Sequence, residues 1–174
     1  MFIKIRSGAF ETNSSSQHSI CIRNDKSDLC VDRESIVDNI LNGRGEWKIT
    51  GMYFGRSPFR YLSKFSEKVI YALANGINYH DIEDIVKDNI PEFTGFKFIN
   101  NEYSDGSPAT GYTDDYILSG WLEHNSVSLR DFLTKDSYFV ICDGDEYGIF
   151  SDMLNSGIIS KSVNETNHYC NNDD

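Results

Sequence analysis

The sequence has few of the features that would place a protein in a membrane or outside the cell. No apolar run approaches the roughly eighteen residues that a membrane span requires. The first ten residues, MFIKIRSGAF, lack the long apolar core and the cleavage site of a signal peptide. We therefore expect a cytoplasmic protein.

Cysteine is scarce, and its positions do not form a metal or redox motif. The chain has 4 Cys and no C-x-x-C pair. Cys21 and Cys142 lie in apolar, strand-like runs, Cys30 lies in the triplet LCV, and Cys170 lies near the C-terminus. Buried, reduced thiols fit this pattern better than a disulfide framework or a zinc site. We expect no cofactor.

Basic residues are nearly missing from the second half of the chain. Residues 88–174 contain 4 Lys and Arg against 16 Asp and Glu, a net charge of −12, whereas residues 1–87 have a net charge of +1. A negative field of this kind repels nucleic acid and anionic lipid, and it attracts basic proteins or cations. Direct binding to nucleic acid or to a membrane is therefore disfavoured.

Strand-like and helix-like segments follow one another irregularly, which predicts an α+β fold. We expect a single domain over residues 1–163, with a mixed or antiparallel sheet and several short helices packed on it, and a polar acidic tail over residues 164–174. Apolar and polar residues alternate over residues 2–7 and 19–23, so these segments are predicted to be adjacent antiparallel strands. Further strands are predicted in EWKITGMYFG, GFKFI and SYFVIC.

Helical spacing of apolar residues predicts the remaining elements. The clearest stripe runs over residues 60–75, with an opposite face that is expected to be wet and partly basic. An earlier helix is expected to end at Gly43. Caps are predicted for four helices at Asp32, Asn78, Thr113 and Ser128.

A polar segment of about ten residues joins the two N-terminal strands and is unusually long for a hairpin connection. It contains ETNSSSQHS, residues 11–19. These residues can form local turns with no further role. Alternatively, the segment binds phosphate or carboxylate, with Arg6 supplying charge, His18 a titratable proton and Glu11 a third candidate catalytic group. The ligand-binding candidates are then Asn13, Ser14, Ser15 and Ser16.

The run IRSGAFETNSSSQHSICI resembles an N-terminal signature, broadly Arg-x-x-x-Phe-Glu-Thr-Asn-Ser-Ser-Ser-x-His-Ser, of uncharacterised proteins from bacteriophages and other bacterial mobile elements. The resemblance covers only the start of the chain. It implies a bacterial or viral origin, hence the cytoplasm of a bacterial host cell, and a segment kept for more than turn formation. The matching residues are Arg6, Phe10, Glu11, Thr12, Asn13, Ser14, Ser15, Ser16, His18 and Ser19.

A second polar motif, DGDE, follows the strand-like run YFVIC. Its carboxylates, Asp143, Asp145 and Glu146, are oxygen ligands of the type that Mg²⁺ or Ca²⁺ requires, although the spacing of an EF-hand is absent. A solvated acidic turn without a metal is the favoured interpretation. If His18 lay across the sheet from this turn, the two motifs would form a two-part site.

Three functions are consistent with these features. The favoured one is a small acidic phage or mobile-element protein that binds and inhibits a basic, nucleic-acid-handling bacterial protein of host defence, for example of the CRISPR type. The second is an enzyme or ligand-binding protein that acts on a phosphorylated or nucleotide-like molecule through residues 11–19. The third is an assembly component without chemistry. The partner-binding candidates for the first are Asp105, Asp114, Asp115, Asp143, Asp145 and Glu146.

Overall fold

A computed structural model describes residues 17–23, 29–49, 60–99 and 117–143. These residues form one small α+β domain, as the irregular alternation of elements predicts. The strands are β1 (Gln17–Ile22), β2 (Glu46–Ile49), β3 (Arg60–Leu62), β4 (Gly95–Phe98) and β5 (Tyr138–Asp143). The helices are α1 (Arg33–Ser35), which continues into a π-helical turn (Ile36–Ile40), α2 (Phe65–Ala74), α3 (Tyr79–Asn89), α4 (Ile117–His124) and α5 (Leu129–Thr134).

Strand β5 is the centre of a three-stranded antiparallel sheet, with β1 on one side and β3 on the other. Its residues Phe139, Val140 and Ile141 are at most 1% exposed, which explains the unbroken apolar run in the sequence. The strand predicted at residues 19–23 is confirmed as β1, which begins two residues earlier, at Gln17 and His18, in the segment expected to be loop. Residues 2–7, its predicted partner, lie outside the described residues.

Strands β2 and β4 form a separate parallel pair. Trp47 and Ile49 of β2 are each 2% exposed, as their alternation predicts. The Trp47 ring packs edge-on against Phe93, with 6.5 Å between ring centroids, and lies 5.6 Å from the ring of Phe96. Parallel strands need a crossover connection, and the chain between β2 and β4 includes β3, α2 and α3.

The helix predicted over residues 60–75 begins later than its apolar stripe suggests. Its first three residues are β3, which pairs with β5. Helix α2 starts at Phe65. Just before it, the amides of Ser63 and Lys64 each donate a 3.1 Å hydrogen bond to a carboxylate oxygen of Glu67. The pairing of β3 with a distant strand outweighs the local helical spacing.

Asp32 does not cap the helix that follows it, contrary to the prediction. Its carboxylate instead accepts hydrogen bonds from the amide of Ser66 at 3.0 Å and from the Ser66 hydroxyl at 2.6 Å. Ser66 lies in the first turn of α2, where backbone amides have no partner inside the helix. The helix expected up to Gly43 consists only of α1 and the π-helical turn, and it ends at Ile40. A 2.9 Å hydrogen bond from the Leu41 amide to the Ile36 carbonyl closes the turn.

We predict that Asp32→Ala lowers the free energy of unfolding by about 1–2 kcal/mol, because it removes an acceptor from the start of α2. Asp38→Ala is the control, since Asp38 is exposed and a change there should stay within about 0.5 kcal/mol. Urea denaturation of both variants measures the difference. Equal losses from the two substitutions would contradict this role for Asp32.

The predicted caps of α3 and α5 are confirmed. The Asn78 side chain accepts a hydrogen bond from the His80 amide at 3.0 Å, and the Ser128 hydroxyl accepts one from the Asp131 amide at 3.0 Å. Thr113 lies outside the described residues. Caps whose acceptor and donor are two or three residues apart depend on local sequence alone, which is why they were predictable.

Candidate functional site

The antiparallel sheet is anchored by a buried row that crosses its three strands. Ile20 of β1 and Leu62 of β3 are both register partners of Val140 in β5. Ile20 and Val140 are fully buried, and Leu62 is only 6% exposed. The adjacent residues Phe139 and Ile141, whose side chains lie on the opposite face, are also at most 1% exposed, so both faces of β5 are covered at this level.

A second row lies two residues further along each strand and contains three chemically active residue types. His18 of β1 and Arg60 of β3 are both register partners of Cys142 in β5. One position beyond, Gln17 pairs with Asp143 at the end of the sheet. We call His18, Cys142 and Arg60 the His-Cys-Arg row.

The row lies where the two polar motifs of the sequence meet. The segment ETNSSS immediately precedes β1, and DGDE begins with the last residue of β5. Since β1 and β5 are antiparallel, the start of one and the end of the other share one end of the sheet. The backbone of His18 therefore lies beside the last residues of β5; the rest of the acidic motif, and so its position relative to His18, lies outside the described residues.

Most of the other candidate residues cannot be compared with this arrangement. His18 and Asp143 are placed by their strand register. The remaining candidates lie outside the described residues: Arg6, Glu11, Asn13, Ser14, Ser15, Ser16, Asp105, Asp114, Asp115, Asp145 and Glu146.

Two members of the row were missed by sequence reasoning. Cys142 was interpreted only as a buried thiol, and Arg60 as the first residue of a helix. They are joined to His18 by strand pairing between segments that are far apart in the chain. Register of this kind cannot be obtained from any one segment, so no local signal identifies the row.

An imidazole, a thiol and a guanidinium in one row define a distinct chemistry. Directly opposed residues of antiparallel strands have Cβ atoms about 4.5–5.5 Å apart. Histidine and arginine are residue types that bind phosphate or carboxylate. In the part of the chain that the structure describes, no group of three His, Cys, Asp or Glu is arranged to hold a metal ion.

A second polar cluster is buried between α2, α5 and β5 and centres on Lys68, which is 0% exposed. Its ammonium donates hydrogen bonds to the carbonyls of Lys135 at 2.8 Å and Tyr138 at 2.9 Å, and it lies 5.6 Å from the centre of the Phe132 ring. Burial lowers the pKa of Lys68, and the neighbouring Cys30 partly offsets this. The expected wet, basic face of α2 is therefore wrong.

The position of Lys68 was readable from the sequence. It follows Phe65 by three residues and precedes Ala72 by four, so it belongs to the apolar stripe of α2. Its long stem and its two carbonyl partners make burial tolerable.

Cys30 is not a good nucleophile in this cluster. Its thiol is half-buried and donates to the Leu133 carbonyl at 3.2 Å. Burial raises the pKa of the Cys30 thiol, and Lys68 lowers it by less, so the net direction is upward. A raised pKa leaves little thiolate at neutral pH. We interpret the pair of Cys30 and Lys68 as structural.

An open pocket of about 380 Å³ follows the π-helical turn. The side chains of Asn42 and Glu92 in its lining already have partners. The Asn42 side-chain oxygen accepts from the amides of Arg44 at 2.9 Å and Glu46 at 3.0 Å, and the Glu92 carboxylate pairs with Arg33. The pocket therefore offers a weaker site than the end of the antiparallel sheet.

Two further findings bear on function. Over the ranges that the structure describes, no helix is both long enough and apolar enough to cross a bilayer. No family model, curated protein or solved structure matches this chain, so the assignment of function rests on the geometry given above.

Proposed function

We propose that the protein binds a phosphorylated or nucleotide-like molecule at the end of the sheet where β1 begins and β5 ends, and that it acts on this molecule in the cytoplasm of a bacterial host cell. One observation carries the proposal: the register pairs His18 with Cys142 and Gln17 with Asp143. Two polar motifs that are more than a hundred residues apart in the chain thereby leave the sheet at the same end.

Each motif has a part in this proposal. The amides and hydroxyls of Asn13 and residues 14–16 bind phosphate oxygens, and Arg6 and Arg60 supply positive charge. His18 holds or releases a proton near neutral pH. The carboxylates of the acidic motif bind the divalent cation that accompanies a polyphosphate. Because this cation lies between them, negatively charged side chains are compatible with an anionic ligand.

Most carboxylates in the described part of the second half are paired within the fold. Residues 88–99 and 117–143 contain 6 Asp and Glu against 3 Lys and Arg, a net charge of −3 out of −12. Four of these carboxylates already have basic partners in the fold, which leaves less negative charge free for a partner. The pairs are Asp88 with Arg130, Glu92 with Arg33, Asp131 with Lys135 and Asp136 with Arg23.

Inhibition of a basic, nucleic-acid-handling host-defence protein, for example of the CRISPR type, remains the second candidate. The charge of residues 88–174 and the resemblance of the N-terminal run to phage proteins support it. In this function the protein is not an enzyme, and residues 11–19 serve as scaffold. The partner surface would be formed by Asp105, Asp114, Asp115, Asp143, Asp145 and Glu146.

We predict that His18→Ala and Arg60→Ala each weaken binding of inorganic phosphate or AMP at least about tenfold, because each loses a charge-assisted hydrogen bond to the anion. The controls are His80→Ala and Arg44→Ala, which remove exposed side chains elsewhere and should leave affinity unchanged. Calorimetry with and without Mg²⁺ measures binding, and thermal melting checks that each variant folds.

The same preparation distinguishes the second candidate. Conversion of Asp105, Asp114 and Asp115, which have no part in the proposed site, to Asn should not affect phosphate binding if the proposed function is right. If phosphate and AMP do not bind, and the carboxylate series instead loses a basic bacterial partner that salt releases, inhibition replaces the proposed function.

A further inference from the structure

We propose that the pocket that follows the π-helical turn binds a small aliphatic carboxylate, with Arg44 binding the carboxylate and Val37 and Leu41 contacting the aliphatic part. The volume of about 380 Å³ lies in the range of small-molecule sites. Its lining comes from the π-helical turn, from the segment that leads into β2 and from the segment before β4. This is a second site, and it does not depend on the function proposed for the end of the antiparallel sheet.

The apolar part of the pocket is formed by Val37 and Leu41. Both side chains are half-buried and pack against the hydrophobic core, so they are held in place while part of each surface stays open. Val37 belongs to the π-helical turn, and the Leu41 amide closes this turn. Turns of this kind are rare and frequently lie at functional sites. A ligand with an aliphatic part gains by covering the open apolar surface.

The carboxylates at the pocket already have partners. Glu92 pairs with Arg33, and a carboxylate oxygen of Glu46 accepts a 2.8 Å hydrogen bond from the Asn42 side chain. The side-chain oxygen of Asn42 accepts hydrogen bonds from two backbone amides. These acceptors are committed within the fold, so the lining favours an anionic ligand over a cationic one.

Arg44 is the cation of the lining that the fold leaves available. Its side chain is exposed, and within the described ranges no hydrogen bond or ion pair involves its guanidinium. Its backbone is held in place, because the amide donates to the Asn42 side chain at 2.9 Å and the carbonyl accepts from the Thr94 hydroxyl at 2.9 Å. A guanidinium on a fixed backbone is suited to bidentate binding of a carboxylate.

The solvent face of the parallel pair, beside the pocket, is basic although the chain has a net charge of −11. Lys48 of β2 and Lys97 of β4 are register partners, and both are exposed. Like charges that are directly opposed across strands cost stability, and a nearby anion relieves this cost. Glu46 is the one carboxylate of the two strands. Its pKa is lowered by the hydrogen bond from Asn42 and, less strongly, by nearby cations that include Arg44. The local field therefore attracts an anionic ligand.

Titration of the intact chain, followed by NMR of the backbone amides, tests the site without any substitution. The probe is 4-methylpentanoate. Acetate keeps the charge without the aliphatic part, and 4-methylpentanamide keeps the aliphatic part without the charge. For the probe we expect saturable shifts at residues 41–45 and a dissociation constant of about 1 mM or lower. Acetate and the amide should each bind at least about tenfold more weakly.

A pair of variants assigns the carboxylate to Arg44. Arg44→Ala should weaken binding of the probe at least about tenfold, because the charge-assisted hydrogen bonds are lost. Lys48→Ala is the matched control, since Lys48 is an exposed cation of the neighbouring strand and does not line the pocket. It should change the affinity by less than about threefold, because only a screened, longer-range attraction is removed. Thermal melting checks that both variants fold.

The outcomes are distinct from those of the function proposed above. Equal affinity for the probe, acetate and the amide would overturn this site, as would equal losses from the two substitutions or shifts that do not include residues 41–45. His18→Ala and Arg60→Ala should bind the probe as wild type does. Arg44→Ala should bind inorganic phosphate as wild type does, because phosphate has no aliphatic part to complete this site. Failure of either site therefore leaves the other standing.

Discussion

Lys68→Ala should lower the free energy of unfolding by about 3–5 kcal/mol, because it removes a fully buried side chain and leaves its polar partners unpaired. The Lys68 ammonium is the hydrogen-bond donor to the carbonyls of Lys135 and Tyr138, which lie at the end of α5 and the start of β5. Its aliphatic stem also fills space in the core. Chemical denaturation of the variant measures the loss.

Lys68→Met is the matched variant for this prediction. Methionine keeps most of the volume of the lysine stem and removes the cost of burying a charge, so we expect it to lie within about 1.5 kcal/mol of wild type. If Lys68→Ala and Lys68→Met are equally destabilised, the hydrogen bonds matter more than the packing. If neither is destabilised, Lys68 does not hold α2 against α5 and β5.

The same pair gives a pH dependence with a defined sign. Because burial lowers the pKa of Lys68 in the folded state, unfolding takes up a proton between that lowered pKa and the ordinary value of 10.5. The stability of wild type relative to Lys68→Met should therefore rise as pH rises through this window. Cys30 has a raised pKa and the opposite trend, so both proteins are compared with Cys30→Ser in place.

The elements that sequence reasoning predicted well have local causes. The caps at Asn78 and Ser128 join donors and acceptors two or three residues apart, and the strand at SYFVIC is a short apolar run rich in β-branched and aromatic residues. Such patterns are complete within one segment. The fold class followed from the order of these segments, and the structure confirms it.

The errors share a non-local cause. The first three residues of the helix predicted at residues 60–75 form β3 and pair with β5. The Asp32 carboxylate accepts a hydrogen bond from Ser66, across the fold, instead of capping the helix that follows Asp32. In each case a partner more than thirty residues away supplies the stronger interaction. Local propensity differs by less than about 1 kcal/mol per residue for ordinary residues, so one good tertiary contact reverses it.

Sequence reasoning identified only part of the candidate site, because the rest depends on pairing between segments that are distant in the chain. His18 and Asp143 were singled out by residue type within their own motifs. Their association, and the addition of Cys142 and Arg60, depends on the register of three strands. Residue chemistry identified the components, and only the pairing shows which of them share a row.

Gly45→Ala should be the most damaging single-methyl change in the described part of the chain, with an expected loss of about 3 kcal/mol. Gly45 has φ of +75°, a conformation that side chains rarely adopt. A Cβ at this position would also lie 2.2 Å from the carbonyl oxygen of Glu92, a backbone atom that cannot rotate away.

The site of this clash explains the size of the effect. Gly45 immediately precedes β2, and its carbonyl accepts a hydrogen bond from the Thr94 amide at 2.9 Å, immediately before β4. Relief of the clash would move the start of β2 away from the start of β4 and weaken the parallel pair. Gly43→Ala is the control, because a Cβ there would have no atom within 4 Å and should be neutral or slightly stabilising through the unfolded chain. Urea denaturation of the two variants decides the matter: equal stabilities would mean that the close approach of Gly45 to Glu92 does not constrain the fold, whereas a loss confined to Gly45→Ala would locate the constraint at the junction of β2 and β4.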